Sequence, residues 1–314
     1  MKSTKKGDDN QRITLCFSSV SGVYLKMMAD YPAVHTLRAY AKINLGLIVT
    51  GERPDGYHNI ETIFHRVALF DEIFLRPAAE IIVESSDAAA PGDETNLCYK
   101  AARLLKDHLG IDAGVRCTLR KSIPVGAGLG GGSADGAALL HSLPQLWGKE
   151  VDPVTLRAMA LRLGSDVPYF LDSGSAFAQG RGELLDYFAL DVPYTILLCS
   201  PSIHVSSAWA YRQITGRQRS DGDLRTIVLR GMDDPRILRD SLMNDFEIPV
   251  FAAFPVVRAL KDDMFRQGAV FAAMSGSGSS VFGFFTDAIA AGSAAELFRA
   301  KGYRTFITPP HFRV

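Results

Sequence analysis

Five glycines fall within the seven positions from Gly126 to Gly132, in the run Pro124-Val125-Gly126-Ala127-Gly128-Leu129-Gly130-Gly131-Gly132-Ser133-Ala134-Asp135. A backbone with so little side-chain cover lets its amide N–H groups approach an anion closely, or lets a helix and a strand cross at short range. Val115-Arg116-Cys117-Thr118-Leu119-Arg120 before it alternates as a strand does, and residues 136–143 after it place Leu139, Leu140 and Leu143 on one helical face. A glycine loop delivered onto a helix N-terminus combines unpaired N–H donors with the positive end of the helix dipole, which suits a nucleotide polyphosphate. The loop is neither of the two commonest phosphate fingerprints. Ser133 and Ala134 follow Gly132 where the P-loop needs a lysine, and Glu150 lacks the preceding strand that the dinucleotide pattern requires.

The chain of 314 residues is long enough for two domains, and its 47% hydrophobic content supports a sizeable core. Lys plus Arg and Asp plus Glu both number 34. No net field therefore draws the protein to nucleic acid or to an anionic membrane. Cys16, Cys98, Cys117 and Cys199 show no C-x-x-C spacing, which argues against a zinc site and a disulfide framework, and Cys98 and Cys117, in a predicted helix and strand, read as small core residues in a reducing cytosol. Residues 1–36 read as a poorly ordered extension, with Met27 or Met28 as an alternative start. Serines interrupt their apolar run, and no small-x-small site follows, so a signal peptide is disfavoured. No apolar run approaches the roughly 18 residues of a membrane span.

Residues 37–49 read as a long strand in which Lys42 and Asn44 share a face. An ammonium between Ala41 and Ile43 needs a carboxylate or a bound anion, unless it lies at a strand edge and reaches solvent. Residues 50–59 carry turn chemistry at Gly51 and at Pro54-Asp55-Gly56, followed at once by Tyr57 and His58. These two rings either stack on a planar ligand or decorate a surface turn. Residues 60–74 supply one or two more strands, and 81–85 a short one. Thr95 or Asn96 caps a helix over 97–109 that Gly110 stops, Pro144 should end or kink the helix begun at Ala134, and Asp152-Pro153 opens a helix to Leu163. Asp166 is the only charged residue between Arg162 and Asp172, and is either a helix cap or an acid in a sheltered site. Residues 173–183 read as strand, turn, strand. A second region begins at Tyr194 with a strand, then a helix capped by Ser206 or Ser207; 212–239 is polar and without a clear pattern, and 250–267 is helical. Met274-Ser275-Gly276-Ser277-Gly278 is a second glycine–serine loop, either a hairpin turn or an anion site facing the same cleft as the first. Residues 288–298 and 303–307 close the chain as a helix and an edge strand.

Three loops and a strand lysine in this order resemble the galactokinase–homoserine kinase–mevalonate kinase–phosphomevalonate kinase (GHMP) superfamily, whose phosphate loop P-x-x-x-G-L-x-x-S is matched by Pro124, Gly128, Leu129 and Ser133 with one glycine more. Within it the chain resembles the branch acting on 4-diphosphocytidyl-2-C-methyl-D-erythritol in the non-mevalonate isoprenoid route. That likeness rests on Ala41-Lys42-Ile43-Asn44-Leu45, Arg53-Pro54-Asp55-Gly56-Tyr57-His58, Gly128-Leu129-Gly130-Gly131-Gly132-Ser133, Gly164-Ser165-Asp166-Val167-Pro168 and Met274-Ser275-Gly276-Ser277-Gly278.

The resemblance implies a two-domain α+β kinase. Residues 37–190 would form an ATP-binding domain with a mixed sheet and helices, 191–314 a ferredoxin-like domain, and the site would lie in the cleft between them. ATP with Mg2+ on its phosphates would lie along residues 124–134, Pro124, Val125, Gly126, Ala127, Gly128, Leu129, Gly130, Gly131, Gly132, Ser133 and Ala134, and no protein metal site is implied. Asp166 would take the proton of the acceptor's 2-hydroxyl beside Lys42. Tyr57 and His58 would hold the cytidine against Tyr211, with Asn44, Asp55, Gly276 and Ser277 in the same pocket. The enzyme would be cytoplasmic and bind neither nucleic acid nor membrane. The alternatives are another small-molecule kinase of the superfamily, or a nucleotide-binding regulator, which would keep the glycine loop but lose the acid or the lysine.

Overall fold

The computed structural model describes residues 35–214 and 223–314, so the expectation for the first 36 residues lies almost wholly outside the described residues, as do residues 215–222 of the polar 212–239 stretch. Strand β1 (His35–Glu52) and the 21-residue β2 (His58–Ala78) form one long antiparallel hairpin. Residues 60–74 thus lie in a single strand. β2 is the spine of the first sheet. β4 (Gly114–Arg120) pairs antiparallel with its second half, β3 (Ile81–Ser85) pairs parallel with β4, and β5 (Ser175–Gln179) pairs with Thr62–Phe64 of β2 and carries β6 (Leu184–Phe188) on its far side.

Three helices cover this sheet, and each carries its sequence signals. Leu97–Leu109 is capped by the Asn96 side chain and ends at Gly110, and Pro153–Leu163 is capped by Asp152. Between them runs Gly131–Leu146, which starts three residues before Ala134, the start read from the sequence, inside the glycine run itself. Its Pro144 does not end it: the helix reaches Leu146. Proline removes one N–H from a turn that is already terminating, and Lys149 N bonds the Pro144 carbonyl at 2.8 Å beyond it. Leu139, Leu140, Leu143, Ala101 and Leu105 pack with Ile73, Leu75 and Val83 in one buried cluster.

The second sheet is antiparallel, in the order β10 (Arg304–Thr308), β7 (Thr195–Ser200), β9 (Val281–Phe285), β8 (Phe271–Met274). Strand, helices, two strands, helix, strand in that order is the ferredoxin-like arrangement expected for the second half. The polar stretch resolves into Leu224–Asp233 and Pro235–Ser241, capped by Asp223 and Asp234; the 250–267 pattern is two helices, Glu247–Ala253 and Pro255–Arg266, parted before Pro255. Ile43, Leu45, Ile63, Val67 and Leu69 of the first sheet pack with Ile196, Leu198, Phe271, Phe282 and Phe284 of the second in one continuous cluster. Cys98, Cys117 and Cys199 are free and buried. Among the described residues no helix is long and apolar enough to cross a membrane.

His65 on β2 is buried and bonded to Ser175 Oγ at 2.8 Å, and burial lowers its pKa from 6.5 to about 4. Between those values the unfolded chain takes a proton that the folded chain refuses, so stability falls as pH drops through this window and is unaffected above it. The loss approaches the order of 3 kcal/mol below pH 4. Denaturant midpoints for wild type and His65→Gln at neutral pH and pH 4.5 should show a shallower acid loss in the variant; equal losses would acquit His65.

Candidate active site

Lys42 follows an irregularity in the β1–β2 register, and its side chain is only 6% exposed. The solvent-reaching reading is therefore excluded, and the ammonium finds local partners. Nζ donates to Asn44 Oδ1 at 2.6 Å, lies 3.4 Å from Asp166 Oδ2 and sits 4.8 Å from the centre of the Phe64 ring. Asn44 in turn donates to Thr62 Oγ1 at 2.9 Å, which fixes its carbonyl toward the lysine. Asp166 heads the short 3-10 helix Val167–Leu171, yet its side chain makes no capping bond and is 34% exposed. Of the two readings open for Asp166, the cap is thus eliminated, and its carboxylate is held by Lys42 at the edge of a cavity.

That cavity encloses about 840 Å³. It is lined by the glycine loop, by Lys42, Asn44 and Asp166 and by Tyr57, His58, Tyr211, Gly276 and Ser277. Of the residues singled out from sequence, Asp55 and Ala134 stand outside the wall. Asp55 is exposed and spends its carboxylate on the Arg53 side chain and the Tyr57 N–H, the hydrogen bond from Arg53 lowering its pKa most. It shapes the turn that presents Tyr57. Ala134 is buried, packed into the helical core cluster.

Gly130 is the N-cap of the Gly131–Leu146 helix and, having no side chain, gives it no capping bond. The first-turn N–H groups of Gly131, Gly132 and Ser133 are thus left to a ligand or to solvent. Gly128 is required by space as well as by its φ of +79°: a Cβ there would lie 2.1 Å from the Ser275 carbonyl oxygen. This close approach joins the two glycine loops. The Ser275 hydroxyl donates to Gly128 O at 2.9 Å and accepts from Asn44 N at 3.2 Å, and Ser280 N donates to Ala127 O. The loop Ser275–Ser280 is thus a β8–β9 hairpin connection and a wall of the site at once. Leu129 O accepts from Lys42 N at 3.0 Å, tying the first loop to β1 as well.

Two groups of residues were not singled out from the sequence. Asn244 Nδ2 donates to both Met274 O and Gly276 O at 2.8 Å, clamping the second loop, while Asp245 accepts from Val49 N on β1. Such contacts span segments far apart in sequence, and no periodicity marks them. Lys121 and Asp135, which flank the glycine run, meet buried Asp71 in a charge triad; burial pulls the Lys121 pKa down, but the two carboxylates more than offset it and leave it raised. Asp71 also accepts from Ser122 N and Ile123 N, which fixes the approach to the loop. The flanking positions of Lys121 and Asp135 were a usable signal.

On the opposite wall His58 and Tyr211 stack, with ring centres 5.1 Å apart and planes 22° from parallel, and Tyr211 meets Phe246 edge-on at 4.9 Å. Burial raises the Tyr211 pKa, keeping the phenol neutral. The spacing is that of a directly stacked pair, so a planar ligand would replace this contact rather than slide into an existing gap. Tyr57 is more than half exposed, with the Arg181 guanidinium 4.7 Å over its face. Ser277 Oγ and Ser207 Oγ lie 2.9 Å apart, closing the corner between the hairpin loop and the Ser207–Arg212 helix.

Residues 96–174 match the GHMP kinases N terminal domain and 232–304 the GHMP kinases C terminal domain. A 4-diphosphocytidyl-2-C-methyl-D-erythritol kinase of Chlorobium limicola is 42% identical over 280 residues, which is 88% of this chain and 97% of that protein. The chain belongs to that kinase family. A second member, from Prosthecochloris aestuarii, is 43% identical over 281 residues, covering 88% of this chain and 98% of its own. A crystal structure of 4-(cytidine 5'-diphospho)-2C-methyl-D-erythritol kinase superposes with a TM-score of 0.76 at 35% identity, over 87% of this chain and 98% of that one. Homoserine kinase from Cytophaga hutchinsonii shares the fold, with a TM-score of 0.65 at 20% identity over 89% and 97% of the two chains. In this member of the kinase family the residues that resemblance placed in the site, Asp55 and Ala134 apart, line one cavity.

Gly128→Ala should destabilise the protein by about 2–4 kcal/mol, the sum of left-handed backbone strain and overpacking against Ser275. Gly148→Ala, with a similarly positive φ of +62° but nothing within 4 Å of the added carbon, should lose only the backbone part, about 1–2 kcal/mol. Denaturant titration of both variants separates the two effects; equal losses would deny that loop contact is what requires Gly128.

Proposed function

We propose that this chain transfers the γ-phosphoryl group of ATP to the 2-hydroxyl of 4-diphosphocytidyl-2-C-methyl-D-erythritol. The observation that carries the reading is the Lys42–Asp166 pair, 3.4 Å apart, set in one cavity between an uncapped glycine-rich helix N-terminus and an aromatic wall. Residues 37–190 and 191–314 are taken as its two domains, with the protein in the cytoplasm.

In this reading the donor phosphates lie along residues 124–133, held by backbone N–H groups and the helix dipole. Asp166 accepts the proton of the acceptor hydroxyl. Lys42 pairs with that carboxylate in the resting site and faces the oxygen nucleophile and the transferring group. Asn44 and Phe64 set the ammonium's position, so it cannot relax toward Asp166 as charge moves. Phosphoryl transfer asks little covalent work of a protein, so beside the proton accepted by Asp166 the contribution is alignment and fixed charge. Among the described residues no group of three or more His, Cys, Asp and Glu forms a metal site. Mg2+ would enter on the ATP phosphates, adding positive charge there, with the hydroxyl of Ser133 in the cavity wall as an oxygen donor of the kind it prefers. Tyr57, His58 and Tyr211 receive the cytosine, and Gly276 and Ser277 border the acceptor. The family's shared kinase activity supports the acceptor, and the motif positions support the roles.

Asp166→Asn should keep ATP affinity within a few fold and lower turnover by at least about a hundredfold, the usual scale for a general base. Turnover near that of wild type would remove Asp166 from the mechanism. ATP consumption with 4-diphosphocytidyl-2-C-methyl-D-erythritol, mevalonate, homoserine or galactose as acceptor tests the assignment, which fails if only one of the last three is phosphorylated.

A further inference from the structure

The acceptor just proposed has two ends and a charged middle: a cytosine for the aromatic wall, a hydroxyl for Asp166, and a diphosphate between them. The diphosphate needs a cation placed between those two points, and most of the lysine charge in the cavity is already committed. Lys42 faces Asp166 and Asn44, and Lys121 is shared by Asp71 and Asp135.

Arg181 has the right place. It sits in the Gly180-Arg181-Gly182 turn that joins β5 to β6, and it lines the same cavity. Its guanidinium lies 4.7 Å over the Tyr57 ring, at the cytosine end. The next residue adjoins the other end: a Cβ on Gly182 would stand 3.7 Å from Asp166 Oδ1. The turn thus bridges from the aromatic wall to the proposed base. Arg181 is also incompletely used. Its Nε is buried with no hydrogen-bond partner, and its ion pair to Glu183 is long, at 3.6 Å. Glu183 also accepts from the Arg181 backbone N–H, so it fixes the turn without saturating the fork. A planar guanidinium presenting several donors is the side chain best matched to two neighbouring phosphates.

We infer that Arg181 binds the diphosphate of the acceptor, and so selects a nucleoside-diphosphate-linked alcohol over a free polyol. This rests on the proposed acceptor, and the test is arranged so that the two ideas fail separately. With the donor end saturated by a non-hydrolysable ATP analogue, calorimetry compares CDP with cytidine. Wild type should bind CDP about tenfold or more tightly than cytidine, the scale of one charge-assisted bidentate contact. Arg181→Gln should bring the ratio within about twofold while cytidine affinity is kept, and Arg181→Lys should lie between, since it restores charge without the fork. In turnover, KM for 4-diphosphocytidyl-2-C-methyl-D-erythritol should rise about tenfold or more in Arg181→Gln with KM for ATP unchanged. A CDP-to-cytidine ratio unaltered in Arg181→Gln, failure of wild type to bind CDP, or a rise in KM for ATP alone would each overturn the inference. Wild type that fails to phosphorylate this acceptor would instead sink the acceptor assignment, while the CDP comparison still decides the role of Arg181.

Discussion

A lysine ammonium placed inside a sheet must be neutralised where it stands, and most of the site follows from how this one is. Lys42 emerges from a strand whose neighbours Ala41 and Ile43 are fully buried. Little of the charge is open to water, so the fold surrounds it with the Asn44 carbonyl, the face of Phe64 and the Asp166 carboxylate. Each partner arrives on a different element. Neutralising the ammonium therefore draws β1, β2 and the turn before Val167 to one point, and the Lys42 backbone adds the glycine loop through Leu129. Among these partners only Asp166 is substantially open to the cavity, so the stabilising pair is also the reactive one.

The two glycine loops meet by the same economy of contact. Ser275 sits between Gly128 and Asn44, with one hydroxyl donating to the first and accepting from the second. Behind it, Asn244 holds both ends of the second loop's first turn. Phe246, two residues on, backs Tyr211, which stacks on His58. One short segment thus sets the hairpin loop and the aromatic wall relative to β1.

What local pattern governs was legible before any coordinates. Asn96, Gly110 and Asp152 did as helix boundaries what their chemistry requires, and the strand, glycine loop and helix appeared in the order read from residues 115–143. The helix start was misplaced because glycines look like loop even when they form a first turn, and Pro144 misled because its cost depends on how many turns remain beyond it. Asp166 illustrates the limit: position alone left cap and acid equally open, and what separates them is the missing capping bond together with the distance to Lys42, 124 residues earlier. Resemblance brought Asp55 into the pocket, yet its carboxylate is occupied within its own turn. Asn244, Asp71 and Arg181 act across long sequence separations, where no period or spacing reports them.

β2 belongs to both halves. Residues Ile73 and Leu75 lie in the cluster under the helices, whereas Ile63, Val67 and Leu69 lie in the one shared with the second sheet. β2 runs unbroken through both cores, although its pairing with β1 shifts register between Tyr40 and Lys42, so the halves are joined by continuous strand as well as by shared core. Shutting out water when ligands arrive then falls to the cavity's rim: the Gly180–Gly182 turn, the Pro54–Tyr57 turn and the short Ser207–Arg212 helix. Such an enzyme resembles a vise with small jaws more than a hinged clam, its two halves held by one unbroken strand and a shared core.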